Sequence, residues 1–317
     1  MTLKQKLLAY FTDHQGEIHS GEELAGLFDV TRAAVWKAVS SLKKENIVID
    51  SVPGKGYCYS NINEPLNESL IKQSAGSDFP LILLDSVDST NNYAKKLVID
   101  GCTEGTMIIA DRQTSGRGRN GKSFYSPSGT GLYVSYIFSC CENLHNIQYV
   151  TMAAAVAAAE AVEACSKDHV RIKWFNDLYS ESGKIGGILT EATFDLETMS
   201  PDKIITGIGI NCRTESFPDD LKEKAGSLSD PALSRNRLAG ELYKHLNTLM
   251  HSPDLKHITD AYRSYSLLSG REITYLHNGI EKRGHVKTIN DDGSVTVSSE
   301  NKDLVYTAKE ITILHWK

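Results

Sequence analysis

Three stretches of this chain hold residues able to do chemistry on an anion. Residues 116–123, GRGRNGKS, set Arg117, Arg119 and Lys122 among Gly116, Gly118 and Gly121. KWFND at 173–177 ends in Asp177, and after a Ser182-Gly183 turn the chain continues from Lys184 into Ile185-Gly186-Gly187-Ile188-Leu189. A carboxylate and a lysine at adjacent strand ends, with cations on a glycine-rich loop, suit a phosphate or carboxylate ligand. The cations offset its charge, and the glycines let backbone come close. Taken singly, Asp177 also fits an Asx turn and Lys184 a solvated hairpin; it is their conjunction that points to a site.

As text, GRGRNGKS matches both G-x-x-x-x-G-K-[ST] and G-x-G-x-x-G. Both patterns work by presenting phosphate to the N-terminus of a helix that follows at once. Here Pro127, Ser128, Gly129 and Gly131 follow instead, and then Leu132 to Phe138, rich in aromatic and β-branched residues. That is strand, turn, strand, which excludes both readings. The chain has no His-Arg-Asp and no Asp-Phe-Gly, so the kinase reading falls as well. Two readings of the loop stay open: a solvated hairpin, or a mobile cationic lid over a phosphorylated ligand. The trailing Lys122-Ser123 is the part expected to matter least.

The elements that must position these residues fall into two or three domains, as 317 residues suggest. Composition is that of a soluble globular protein, with 40% hydrophobic and 23% charged residues and a net charge of −6, so any binding of nucleic acid must be local. No apolar run reaches the roughly 18 residues of a membrane span and the N-terminus lacks a secretory pattern, so a cytoplasmic protein with no membrane partner is expected. Six cysteines without CxxC spacing argue against a zinc site and are expected to be reduced.

Leu3, Leu7, Leu8 and Phe11 predict a first amphipathic helix. Ser20-Gly21-Glu22-Glu23 is a capping-box start for a second, with Leu24, Leu27 and Phe28 as its buried stripe, and a third turns Val35, Val39 and Leu42 inward. With Ile47 to Ile49 and Val52 to Tyr57 as a hairpin wing, this reads as a winged helix-turn-helix, either a DNA reader or a module for protein contacts. Thr31, Arg32, Trp36, Lys37 and Ser40 on the recognition helix, with Lys55 on the wing, are the candidate DNA contacts. Residues 1–60 hold 7 Lys+Arg and 7 Asp+Glu, so weak binding by one copy and a dimer on a two-fold site are expected. Asn61 to Asn67 reads as a polar linker.

Further on, Leu81 to Leu84 and Thr106 to Ala110 read as strands, with a helix capped at Ser89 to Asn92 between them. Tyr149 to Cys165 is an alanine-rich helix, and Val170 to Asp177 is read as one strand. Ile204 to Asn211 is a strand interrupted by Gly207 and Gly209, and Leu238 to Met250 an amphipathic helix. From Ser269 the chain is β-rich, with Asn278-Gly279 and Asp291-Asp292-Gly293 as turns.

In order along the chain, DSTN at 88–91, Gln113 with GRGR at 116–119, KWFND at 173–177, GKIGGIL at 183–189 and GIGIN at 207–211 resemble biotin-protein ligases. The winged helix with VPGKGY at 52–57 resembles the N-terminal half of the bifunctional members that also repress the biotin operon, the BirA type. The resemblance covers essentially the whole chain. Four positions depart from it: Phe175 replaces a usual proline, Phe124 a frequent tryptophan, and Asn120 and Lys122 sit in a loop often richer in arginine.

The resemblance implies an α+β chain: a winged helix-turn-helix at 1–62, a mixed α/β ligase domain at 67–268, and a small SH3-like β-barrel at 269–317. It implies formation of biotinyl-5'-AMP from biotin and ATP with Mg²⁺, transfer of biotin to a lysine of a biotin carboxyl carrier protein, and repression at operator DNA by a dimer that forms with bound adenylate. Lys184, Arg117 and Asp177 are the implied catalytic residues, Asp177 serving either Mg²⁺ or the acceptor amine. Ser89, Thr90, Asn91, Gln113, Arg117, Gly118, Arg119, Lys184 and Gly186 are implied for biotin, and Arg119, Phe124, Lys173, Asn176 and Asn211 for ATP. The competing readings are a cofactor-sensing transcription factor without catalysis and a lipoate- or octanoate-transferring relative.

Overall fold

The computed structural model describes residues 2–45, 47–59, 64–139, 147–194, 201–251, 254–300 and 302–317. Cys140, Cys141 and residues 61–63 of the expected linker lie outside this range.

The first unit runs α1 (Leu3–Asp13), β1 (Ile18–His19), α2 (Gly21–Leu27), α3 (Arg32–Lys44), β2 (Ile49–Val52) and β3 (Gly56–Tyr59). Capping boxes start α1 at Thr2 and α2 at Ser20, and Thr31 caps α3, so each helix begins where a side chain satisfies its free N–H groups. Leu7, Leu8, Phe11, Leu24, Val35, Val39 and Leu42 close one core. Leu27 does not join it and is 54% exposed, a correction to the expected stripe. The reason is helical spacing: Phe28, four residues after the buried Leu24, packs against the core in place of Leu27. The three strands pair in the order β1-β3-β2, and the β2–β3 hairpin forms the wing. A Cβ on Gly56 would stand 2.1 Å from the His19 carbonyl oxygen, so only glycine lets β3 approach there.

The second half of the expected linker is packed rather than loose. Glu64 is buried and accepts hydrogen bonds of 3.0 Å from the Tyr59 hydroxyl and from Asn236 Nδ2. Asn67 caps α4 (Glu68–Ala75), a helix the sequence pattern does not announce, whose Leu70 joins the N-terminal core while Ile71 joins the central one.

The central unit contains β4 (Leu81–Leu84), α5 (Thr90–Ile99), β5 (Met107–Ala110), β6 (Gly131–Ser139), α6 (Ile147–Cys165), β7 (Arg171–Lys173), β8 (Asp177–Ser180), β9 (Gly183–Phe194), β10 (Pro201–Asn211), α7 (Arg235–His251) and α8 (Leu255–Tyr265). Its seven strands lie in the order β4-β5-β6-β10-β9-β8-β7; β4 and β5 are parallel and the other pairs antiparallel. The alanines of α6 from Ala153 to Ala161 are fully buried, and their small side chains let it lie close against β9 and β10.

The single strand expected over 170–177 is two. β7 stops at Lys173, the Trp174-Phe175 peptide is cis, and β8 begins at Asp177. Distant partners hold the interruption: Trp174 Nε1 donates to the Gly293 carbonyl at 3.0 Å, and the Tyr262 hydroxyl to the Phe175 carbonyl at 2.8 Å.

The chain ends in β11 (Glu272–His277), β12 (Ile280–Ile289), β13 (Val295–Ser299), β14 (Lys302–Tyr306) and β15 (Ile311–Trp316), an antiparallel sheet ordered β14-β13-β12-β11-β15. Its edge strands β14 and β15 are not paired with each other, so the expected barrel closure is not among the pairings found. Ile273, Tyr275, Val286 and Val297 of this sheet belong to the same hydrophobic cluster as α6 and the central strands. No helix among the described residues is long and apolar enough to cross a membrane.

Candidate active site

The floor of the site is made by glycines in paired strands. A Cβ at Gly209 would lie 2.5 Å from the Phe124 ring, one at Gly207 2.4 Å from Asn91 Oδ1, and one at Gly186 2.4 Å from the Gly209 carbonyl oxygen. Each bare position is filled by a neighbouring group, the close approach that strand glycines signal. Over this floor opens a cavity of about 750 Å³, ample for a nucleotide with a second small molecule.

Every ligase-site residue singled out in the sequence lines this cavity: Ser89, Thr90, Asn91, Gln113, Arg117, Gly118, Arg119, Phe124, Lys173, Asn176, Asp177, Lys184, Gly186 and Asn211. Lys184 Nζ lies 2.6 Å from Asp177 Oδ1 across the β8–β9 pairing. Arg119 donates from Nη1 to Asn176 Oδ1 at 3.0 Å and from Nη2 to the Ala308 carbonyl at 2.9 Å, with its guanidinium over the Phe175 ring. Burial lowers the Arg119 pKa, and nearby Asp177 opposes that shift. Lys173 donates to the Ile313 carbonyl at 3.2 Å and sits over the Trp316 ring; its pKa too is lowered by burial, against Asp177.

The 116–124 loop is a braced hairpin. Gly118 N–H donates to the Lys122 carbonyl at 2.7 Å and Phe124 N–H to the Gly116 carbonyl at 2.8 Å, around a single 3₁₀ turn at Arg119–Gly121. Among the described residues no α-helix follows it before α6. Lys122 and Ser123, expected to matter least, close this hairpin, Ser123 pairing with Arg117. Gly118 has φ −114, and a Cβ added there would meet nothing closer than 3.5 Å, whereas a Cβ on Gly116 would lie 2.4 Å from the Phe124 carbonyl oxygen. The glycine that packing demands is therefore Gly116.

Several polar groups are already committed. Gln113 Oε1 accepts from Thr90 N–H at 2.9 Å, and its Nε2 donates to Ser126 Oγ at 2.9 Å. Asn91 uses both amide hydrogens, one to Glu191 Oε2 at 2.9 Å and one to the Leu189 carbonyl at 3.2 Å, and accepts from Ser135 at 2.6 Å. Ser89 stands at the N-cap of α5 without making a side-chain cap bond. Asn211 donates to the Gly226 carbonyl at 2.9 Å, but its buried Oδ1 has no partner among the described residues, so an N–H of a ligand would remove a desolvation cost.

Lys224 and Asp220 of the segment after β10 also line the cavity, as does Lys309 in the turn between β14 and β15. Sequence reasoning missed them. Backbone bonds clip the first segment to Lys184: Lys184 N–H donates to the Lys224 carbonyl at 3.0 Å, and Gly226 N–H to the Lys184 carbonyl at 2.8 Å. No pattern marks such residues, since distant segments bring them in. No group of three or more His, Cys, Asp or Glu able to hold a metal occurs among the described residues. A magnesium ion carried on nucleotide phosphates needs only one or two protein carboxylates.

In the N-terminal unit, Thr31, Arg32, Trp36 and Lys37 are exposed and Ser40 partly so, on the face of α3 opposite its core stripe; Lys55 is exposed on the wing. The Thr31 hydroxyl is occupied by its capping bond to Ala34 N–H at 3.2 Å.

Residues 83–211 match the biotin/lipoate A/B protein ligase family and residues 4–58 an HTH domain family. A bifunctional ligase/repressor BirA of Bacillus spizizenii is 33% identical over 242 residues, spanning 75% of this chain and 74% of the relative. The chain belongs to the bifunctional ligase/repressor BirA family. Another BirA relative, from Escherichia coli, is 28% identical over 300 residues, covering 89% of this chain and 91% of that one. Among solved structures, a biotin protein ligase from Aquifex aeolicus in complex with biotin and ATP superposes with a TM-score of 0.63 at 26% identity, covering 75% of this chain and 99% of that one. Membership in the BirA family makes the chain a biotin ligase with an HTH repressor unit.

Proposed function

We propose that the cavity residues carry out both half-reactions of a biotin-protein ligase. In the first, a biotin carboxylate oxygen bonds to the α-phosphorus of ATP and pyrophosphate leaves. In the second, an acceptor lysine amine attacks the acyl carbon and AMP leaves. The observation that carries this reading is Lys184, held 2.6 Å from Asp177 on the glycine floor of a cavity lined by Arg117, Arg119 and Lys173.

The barrier in the first step is anion approaching anion. Lys184, lying between the biotin carboxylate and the α-phosphate, offsets that repulsion where charge develops, while Arg117, Arg119 and Lys173 take the polyphosphate. Asp177 positions the Lys184 ammonium through Oδ1, leaving its second oxygen for a nucleotide-borne Mg²⁺ or the incoming amine. Phe124 above Gly209 gives a stacking face for adenine, and Asn211 Oδ1 an acceptor for its amino group. The 116–124 hairpin over the mixed anhydride keeps out water.

The same reading gives residues 1–62 operator binding through Arg32, Trp36, Lys37 and Lys55, residues 67–268 catalysis, and residues 269–317 one wall of the cavity. A dimer favoured by bound adenylate would double the phosphate contacts of a charge-neutral DNA-binding unit. The acceptor is the lysine of a biotin carboxyl carrier domain, in the cytoplasm. A sensor without catalysis has no use for Lys184 and Asp177 beside this many cations. Incubation with biotin, MgATP and a carrier domain should release pyrophosphate and label the carrier; absence of both overturns the ligase assignment. A gel shift with biotin-operon DNA, with and without biotin and ATP, tests the repressor half.

A further inference from the structure

Glu191 does not line the cavity, yet it is tied to the cavity's cationic hairpin. Gly187 and Leu189 of β9 line the site, and Glu191 is the next residue on that strand face. Asn91 and Lys95 stand one helical turn apart on α5 and both reach it. Lys95 Nζ lies 2.7 Å from Glu191 Oε1, and Asn91 Nδ2 2.9 Å from Oε2. Burial works against the charge on Glu191, but these bonds outweigh it and hold the carboxyl below the usual range.

The same Oε1 faces Arg117 Nη1 at 3.9 Å, and that guanidinium donates to Asn92 Oδ1 at 3.1 Å. Asn92 is itself fixed by its bond to Asp88 Oδ2 at 2.9 Å. The hairpin is thus fastened at two places, Arg119 towards Asn176 and the C-terminal sheet, and Arg117 towards α5 and Glu191. The fastenings differ in strength. Arg119 makes two bonds near 3 Å and is largely desolvated, while Arg117 is half-exposed and shares its carboxylate with a closer lysine. A long, partly solvated ion pair is weak and readily exchanged for a better anion.

We infer that Glu191 is a positioning residue for Arg117: it tethers the hairpin through that guanidinium and yields it to the carboxylate or phosphate of a ligand, with Lys95 neutralising Glu191 enough for that exchange to occur. The hand-off rests on residues 116–124 being the ligand-gripping hairpin; the tether itself does not.

Amide hydrogen exchange over residues 116–124 reads opening of the hairpin directly, through the Gly118 and Phe124 N–H groups. In ligand-free protein, Glu191→Gln should exchange several-fold faster. Lys95→Met, which leaves Arg117 as the cation facing Glu191 beside the Asn91 amide, should exchange several-fold slower and raise the biotin KM several-fold at near-constant kcat. A merely structural role would make both variants faster. Both faster, or both unchanged, overturns the tether, and Lys95→Met decides alone if Glu191→Gln does not fold. Biotin with MgATP should slow exchange in the wild type; failure there counts against the ligand-gripping reading, while the ligand-free comparison still judges the tether.

Discussion

Lys184 Nζ and Asp177 Oδ1 meet at 2.6 Å across paired strands, at the edge of the cavity floor, with both side chains partly exposed. A pair in that setting contributes little to the core. Lys184→Ala is expected to cut biotin-dependent pyrophosphate release by at least ~100-fold, the usual loss when a donor to developing charge is removed. The melting temperature should move by no more than about 3 °C. Near wild-type release from the folded variant would remove Lys184 from the mechanism.

Two glycines should respond differently to the same methyl group. At Gly209 it would meet the Phe124 ring at 2.5 Å, so Gly209→Ala is expected to displace the ring and raise the ATP KM roughly ten-fold, the cost of about 1.4 kcal/mol of lost stacking. At Gly118 φ is already −114 and the first atom is 3.5 Å away, so Gly118→Ala should keep near wild-type kinetics. Steady-state kinetics on the two variants check this, and equal effects would be inconsistent with it.

Lys37 lies on the exposed face of α3. If it contacts a phosphate, Lys37→Ala should lower the slope of log K against log salt by about 0.9 while weakening all sequences alike. Titration of duplex DNA at several salt concentrations measures the slope, and an unchanged value would take Lys37 off the DNA.

Burial pushes the Glu64 carboxyl above the usual carboxylate range, although Asn236, Tyr59 and Arg235 act the other way. The folded state therefore favours the protonated form. The stability this provides is present below the unfolded-state pKa and is lost as pH rises through the raised value. Thermal melts of wild type and Glu64→Gln from about pH 4 to about pH 7 should show the wild type losing ground as pH rises. A constant difference would mean that Glu64 does not titrate in this way.

What sequence could reveal here was what local pattern encodes. The breaker cluster after Lys122 disqualified a phosphate-binding helix, and Gly207 and Gly209 inside an apolar strand announced close neighbours, which proved to be Asn91 and Phe124. Where the outcome depended on distant groups, local pattern was silent. Nothing near Lys173 says that Gly293 and Tyr262 will interrupt the strand, and nothing near Lys309 says that it faces Lys184's cavity. The polarity of Glu64 to Asn67 suggested a loose linker because polar residues serve both as solvated chain and as buried, fully bonded joints, as Glu64 does with Tyr59 and Asn236.

The C-terminal sheet touches the cationic side of the cavity through backbone oxygens: Ala308 receives Arg119, Ile313 receives Lys173, and Trp316 lies beneath that lysine. Among the described residues, the buried core of the DNA-reading unit extends no further along the chain than Leu70. Synthesis from the N-terminus therefore delivers the two activities at different times. A growing chain holds the residues of the N-terminal core once Leu70 has been added, but the ligase cavity gains its last wall only when residues 308–316 have been made. A stop before that wall would leave the N-terminal unit without the adenylate on which the proposed dimer depends.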